Sequence, residues 1–390
     1  MTAYEIENYA LAEVEKLLNE VGKSLRDYST MLYPDEAFLQ HSCNRLIEEE
    51  TSYDKVDMKT QHDRLHSNLN SEQFKVYQSI ITSVNSQYGG LYFVYGSGGC
   101  GKTYLWKTLC CRLRSEGKIV LPVASSGITA VLLPGGRTAH SRFQIPIKLD
   151  QYSVAGINHG SDIAELIKKT SLIIWDEAPM QHIYGFEAVD RSFRDIMSSV
   201  DPKRKNLPFR GITVVFGGDF RQILPFIPKA SRSEVVNASL NQSRLWDFCT
   251  VFLLLRNMRL GSGISHAHNK KIAEFSKWVL DVGDGKIPNI HPNEFHSNPE
   301  ILIPRKYLIE DYISSVKSII DVTYPYFTKN MSSQAYLKER AILTPTNAIV
   351  DNINSHLLEF IPGTSHTYLS QDSIDDVYGD IFYNLPVVPD

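Results

Sequence analysis

Apolar positions along this chain follow three successive patterns. From residue 4 to about 68 they recur at helical spacing (Ile6, Tyr9, Leu11, Val14, Leu17, Leu18) in an otherwise polar stretch, which predicts a few helices joined by Pro34 and short polar loops. From about 69 to 255 short continuous apolar runs, at 91–95, 119–124, 172–175, 213–216 and 251–255, alternate with amphipathic stretches. A strand with one wet face alternates apolar and polar, whereas a run apolar at every position is buried on both faces. These runs therefore predict parallel strands flanked by helices in an α/β domain. Beyond 256 the chain turns polar, and a second α/β element is expected at 341–344 with the helix-like segment after it. The expected division is a helical extension over 1–68, a first α/β domain over 69–255, and a linker with a partial second α/β domain over 256–390. No internal repeat or low-complexity tract interrupts it.

Composition narrows this picture without redirecting it. With 390 residues, 43% of them apolar, the chain can bury a substantial core, and the length suits two or three domains of ~100–200 residues. Forty Lys and Arg stand against 44 Asp and Glu, a net charge of −4. A nucleic-acid groove on such a chain needs local positive charge, not a basic whole. The five cysteines form no CxxC pair, so free thiols in an intracellular compartment are expected rather than a disulfide scaffold. No apolar run approaches the ~18–20 residues of a membrane span, and the first residues lack the basic start and apolar core of a secretory signal. His62 and His66 are spaced i, i+4 without cysteines or acids at zinc spacing, which predicts a solvated helix face. The triplet Glu48-Glu-Glu50 is read the same way.

The chemistry begins at Gly96-Ser-Gly98-Gly99-Cys100-Gly101-Lys102-Thr103, which satisfies G-x-x-x-x-G-K-[ST] at every fixed position. Glycines let several backbone N–H groups turn inward on phosphate oxygens, and the following helix adds the positive end of its dipole. Lys102 is expected to reach the β- and γ-phosphates of ATP, and the Thr103 hydroxyl to ligate Mg²⁺. An apolar run precedes this loop, and an amphipathic stretch ended by Gly117 follows it. Cys100 admits two readings: a thiol activated by the helix N-terminus, or a small residue tolerated for its size.

Hydrolysis needs a second strand ending in acid, and the run at 172–175 leads into Asp176-Glu177. Asp176 would hold Mg²⁺ through water, and Glu177 would orient and deprotonate the attacking water. The run at 213–216 leads into Gly217-Gly-Asp219-Phe-Arg-Gln222, where Gln222 is the candidate sensor of the γ-phosphate and Asp219 its support.

Together with Gln73, Ser125-Ser-Gly-Ile-Thr-Ala130, Gly135-Gly-Arg-Thr-Ala-His-Ser141 and Asn257-Met-Arg259, these motifs stand in an order that resembles the PIF-type (petite integration frequency) DNA helicases of superfamily one, above all the helicase modules of Helitron transposons. The resemblance covers about residues 10–375. It implies a RecA-like fold and an ATP-dependent 5′→3′ DNA helicase acting on single-stranded DNA and DNA junctions. Such an enzyme would serve repair, recombination, telomere maintenance or Helitron transposition, in the nucleus and also in mitochondria, with a monomer favoured. By the same resemblance Gln73 reads the adenine edge and Arg259 is an arginine finger on the γ-phosphate; without it, Arg259 reads as a surface charge.

The resemblance also assigns 125–143 to single-strand contact. Ser126, Thr138, His140 and Ser141 are suited to phosphate oxygens, Arg137 and Arg142 add charge, and Phe143 offers a ring for base stacking. Segments resembling S-Q-G-Q-T and Y-V-A-L-S-R, which relatives carry, do not occur in this sequence. The expectation is a C-terminally truncated second RecA-like domain, with an ATP- and DNA-binding relic that does not unwind as the alternative to an active helicase.

Overall fold

The computed structural model describes residues 2–20, 23–28, 30–36, 38, 44–198, 204, 206–258, 266–290, 300–309, 315–364 and 366. They pack as two units, 1–287 and 288–390, where the apolar pattern drew its divisions after 68 and after 255.

Unit one opens with α1 (Ala3–Glu20), α2 (Arg45–Thr51) and α3 (Lys55–His66). The α/β order follows: α4 (Ser71–Ser86), β1 (Gly90–Gly96), α5 (Lys102–Ser115), β2 (Ile119–Ala124), α6 (Gly127–Leu132), β3 (Arg137–Thr138), α7 (Ala139–Phe143), α8 (Asp162–Lys169), β4 (Thr170–Asp176), α9 (Ile183–Ile196), β5 (Thr213–Gly218), α10 (Arg232–Asn237), β6 (Cys249–Leu254) and α11 (His266–Gly283). The six strands form one sheet in the order β3-β2-β4-β5-β1-β6, and every pairing is parallel. All five apolar runs are strands. The sixth, β3, has only two residues, too short for a hydrophobic period to reveal.

Alternate residues of β1, β2, β4 and β5 feed two cores, one on either face. Phe93, Trp175 and Phe216 point to a face filled by Phe143, Phe186, Phe193 and Phe209. Val94, Ile174 and Val215 point to the other, where Ile80, Leu105, Trp106 and Leu109 from α4 and α5 cover them. Burying both faces is why these strands read as unbroken apolar runs.

Two charged features expected at the surface are instead inside. Glu50, on α2, is 5% exposed and bridges two buried arginines, Arg114 at 3.2 Å and Arg142 at 2.7 Å. The Arg114 guanidinium also lies over the Tyr53 ring, 4.0 Å from its centroid, and donates to the Pro134 carbonyl. The helical extension is thereby fastened to the α/β domain by ion pairs that solvent does not screen. His62, on α3, is buried, with Nε2 2.8 Å from the Tyr77 hydroxyl and Nδ1 3.0 Å from Asp63. Burial lowers its pKa, so it is a neutral core histidine and not a solvated one. Cys100, Cys110, Cys111 and Cys249 are free thiols.

The α-helices of unit two are α12 (Ser315–Thr323), α13 (Phe327–Asn330), α14 (Gln334–Lys338) and α15 (Asn347–Glu359), and Asn289 forms an isolated antiparallel bridge with Ile301. Among its described residues, Ile320 of α12 and Ile353 of α15 are the buried apolar ones. Tyr324 meets Phe327 and Tyr336. The helix expected after 344 is α15. Residues 341–344 are not a strand, because among the described residues no neighbour offers them a ladder. No helix among the described residues is long and apolar enough to cross a membrane.

Candidate nucleotide site

The loop between β1 and α5 has the backbone its glycines allow. Gly99 and Gly101 take φ of +91° and +81°, a region strained for any residue with a Cβ. A Cβ at Gly101 would also stand 2.4 Å from Gln73 Nε2. Gln73 is 1% exposed and fully engaged. Its Oε1 accepts from the Asn70 backbone N–H in a capping box, and its Nε2 donates to the carbonyls of Cys100 (3.4 Å) and Gly101 (3.3 Å). In this structure Gln73 braces the phosphate loop from behind. Lys102 is buried and donates to the Gly96 carbonyl at 2.6 Å, while Thr103 is exposed. Cys100 is 1% exposed with its sulfur 3.1 Å from Ser97 Oγ, which favours the steric reading of that position. Beyond β6, the Met258 backbone N–H donates to the Gly99 carbonyl at 2.8 Å, tying the end of the sheet's edge strand to the loop.

Strand order sets what faces the loop. β5 lies between β1 and β4, so the candidate sensor turn sits between the phosphate loop and the acid pair. Asp176 ends β4, 2% exposed, and its Oδ1 has no hydrogen-bond partner. Burial pushes its pKa up, opposed by the Lys102 charge and by the Trp106 indole N–H. Glu177 follows at φ +50°, a strained conformation for this residue type, with Oε2 buried and without a partner. Burial, then the Asp176 charge, raises its pKa against Lys102. Two carboxyls, one ammonium and two orphaned oxygens make a site built to receive something polar.

Asp219 is buried and accepts from the backbone N–H and the Nε of Arg221, at 3.0 and 2.9 Å. The same guanidinium reaches Asp284, just past α11, at 3.0 Å. Gln222, partly exposed, lines a cavity of about 450 Å³ with Ser97, Gly98, Asp219, Asn257 and the apolar face of α11, including Phe275 and Val279. Lys102, Asp176, Glu177, Asp219 and Gln222 thus collect at one edge of one sheet. Arg259 lies outside the described residues. Sequence reasoning passed over Trp106, Arg221 and the Met258 N–H; of these only Trp106, four residues after Lys102 on the same helix, left a readable signal.

The segment expected to contact DNA divides. Ser126 caps α6 and Thr138 caps α7, their hydroxyls accepting from the Thr129 and Ser141 backbone N–H groups. Ser141 is exposed; His140 is half-buried, and burial lowers its pKa, leaving a neutral ring. Phe143 is not available for stacking on a base: it is 0% exposed, packed on Trp175 and Phe193. Arg142 is spent on Glu50, and Arg137 pairs with Glu49 at 2.9 Å. Ser125 joins this segment to the acid strand, donating its N–H to the Asp176 carbonyl and accepting from the Trp175 indole. Ile128 and Val131, 84% and 83% exposed, stand beside Ser126 on α6.

A parallel sheet whose first strand turns through glycines into a lysine-headed helix, with an acid pair and a glycine-led turn on the neighbouring strand tips, defines a RecA-like P-loop nucleotide-binding protein. The PIF1-like helicase profile matches residues 68–293, more than half of the chain, and the chain belongs to that family. It is 34% identical over 162 residues to the ATP-dependent DNA helicase RRM3 of Saccharomyces cerevisiae, a match covering 40% of this chain and 21% of that protein. Over 155 residues it is 32% identical to the ATP-dependent DNA helicase PIF1 of Trypanosoma brucei brucei, covering 40% of this chain and 14% of that one. It is also similar to the solved Pif1 helicase from Candida albicans, with 20% identity, 76% of this chain and 55% of that chain covered, and a TM-score of 0.47. The matches thus span less than a quarter of these two curated relatives' own length.

Proposed function

We propose that this chain is the nucleotide-driven part of a DNA helicase that hydrolyses ATP with Mg²⁺ and moves 5′→3′ on single-stranded DNA. The observation that carries the reading is the convergence of Lys102, Asp176 and Glu177 at one sheet edge, with Asp176 Oδ1 and Glu177 Oε2 buried and unpartnered. Lys102 would exchange the Gly96 carbonyl for the β- and γ-phosphates. Glu177 would take the proton of the attacking water, its raised pKa making it a stronger base than an ordinary carboxylate. Gln222 would sense the γ-phosphate, and Arg259 would add charge to it when the cleft closes. Thr103 and Asp176 offer oxygen ligands, the donor type Mg²⁺ prefers. The ion would neutralise charge on the phosphates during transfer.

Ser126, Thr138, His140 and Ser141 would meet the phosphates of a single strand or a DNA junction. Bases would lie toward Ile128 and Val131 and not on Phe143. Family membership and the names of the curated relatives support DNA as the track. Service in repair, recombination, telomere maintenance or Helitron transposition, in the nucleus or mitochondria, rests on the sequence resemblance. A steady-state ATPase assay with and without single-stranded DNA, paired with a strand-separation assay on substrates tailed at either end, tests the proposal. Stimulation by DNA with unwinding only from a 5′ tail is expected; an ATPase indifferent to DNA would overturn it.

A further inference from the structure

Trp106 sits one helical turn after Lys102 on α5, 0% exposed, in the core between that helix and the sheet. Its indole Nε1 is buried without a hydrogen-bond partner, and so is Asp176 Oδ1. The two side chains are wedged against the same backbone point. A Cβ on Gly217 would stand 2.6 Å from Trp106 Cζ2, 3.3 Å from Cε2 and 2.8 Å from Asp176 Oδ1. Only a residue without a side chain at 217 lets the indole and the carboxylate share that space. Packing alone does not account for a tryptophan here. A phenylalanine or leucine would fill an apolar core without burying a donor, and a buried donor with no acceptor is costly. The nearby charge-bearing acceptor that also lacks a partner is the Asp176 carboxylate. The core cluster that Trp106 joins includes Leu105, Leu109, Ile174 and Val215, none of which has a polar side-chain atom.

We infer that Trp106 is a positioning residue for Asp176: its indole N–H holds Oδ1 from behind, so that the other carboxylate oxygen is presented to a Mg²⁺-bound water at the phosphate loop. The inference rests on the Mg²⁺–ATP reading given above and deepens it. A carboxylate that serves a metal works best when its outer oxygen is fixed by a second hydrogen bond, and loss of such a partner weakens metal binding by about 10–100-fold. Neither atom has another hydrogen-bond partner, and the indole N–H is among the groups that hold the Asp176 pKa down against burial. Drawing Asp176 toward a cation would bring Oδ1 into line with the indole.

The test measures the affinity of the full chain for a fluorescent ADP analogue in EDTA and at rising Mg²⁺. Trp106→Phe keeps an aromatic ring and removes the N–H together with part of the bulk of the buried indole. Its affinity in EDTA is expected to match the parent, while the Mg²⁺ concentration that half-saturates the enhancement rises about tenfold. Trp106→His, which keeps a ring N–H, should recover part of the loss. An independent readout needs no variant at 106. In protein labelled with ¹⁵N at the indoles, one core indole proton should move downfield when Mg²⁺ is added with ADP, and stay in place with ADP alone. A parent-like Mg²⁺ response in Trp106→Phe, or an indole proton unmoved by Mg²⁺, overturns the inference while leaving the nucleotide site standing. Failure of the parent chain to bind nucleotide at all would instead sink the site reading, and this inference with it.

Discussion

On the proposed reading Lys102 serves binding and Glu177 serves chemistry, and each can be removed alone. Lys102→Ala is expected to abolish detectable ATP turnover, because the one buried cation at the loop is lost. Glu177→Gln should keep nucleotide affinity and lower turnover by about 10²–10⁴-fold, the usual contribution of a general base; turnover near the parent rate would remove Glu177 from that role. The same variant carries a stability signature. Burial and the Asp176 charge raise the Glu177 pKa in the folded chain, so the folded state holds its proton longer than the unfolded state. Ionising it therefore costs stability as pH rises from the ordinary carboxyl range through the folded value. Calorimetry should find Glu177→Gln melting above the parent near neutral pH. That gap should close as pH falls below the ordinary carboxyl range. Gln73 is open to an equally direct measurement. Its amide braces Cys100 and Gly101, so Gln73→Ala should weaken ATP and GTP alike, whereas an adenine-reading role would cost ATP selectively.

At the scale of elements, the buried ion pairs between α2 and the α/β domain run through one carboxylate, Glu50. Glu50→Ala leaves Arg114 and Arg142 buried without their counter-charge and should destabilise by about 3–5 kcal/mol in urea unfolding. Glu48→Ala, a surface change, should stay within about 0.5 kcal/mol. Such a contrast was not legible beforehand. Glu48, Glu49 and Glu50 are chemically identical, and the partners of Glu50 lie 64 and 92 positions away. Nothing local marks which of three acids turns inward. His62 was misread for the same reason, its partner Tyr77 being on another helix. Strands β1, β2, β4 and β5 were readable because a doubly covered parallel strand is apolar at every position, and the phosphate loop because its glycines are demanded by backbone geometry that any short window displays. Phe143 shows the limit of motif transfer. Its ring lies in the aromatic core with Trp175 and Phe193, so Phe143→Ala should cost about 3–5 kcal/mol of stability and leave the DNA affinity of the folded fraction unchanged.

Across the whole molecule, every described residue of the nucleotide site belongs to the unit spanning 1–287. A fragment ending at 287 should therefore bind nucleotide as the full chain does, measured by the same fluorescent analogue. The order of the strands has another consequence, which concerns how such a chain is made. β1 carries the phosphate loop and is among the first strands synthesised, yet both its neighbours come late: Leu91 pairs beside Val214 on one side and Cys249 on the other. At about 5–20 residues per second on the ribosome, roughly 10–30 s separate the appearance of β1 from that of β6. During that interval a strand built to be apolar on both faces waits without a ladder. Refolding from denaturant, where all six strands are available at once, should thus be governed by distant pairings and be slow for a domain of this size. In the cell the nascent ATP-binding strand would be the segment most in need of a chaperone's cover.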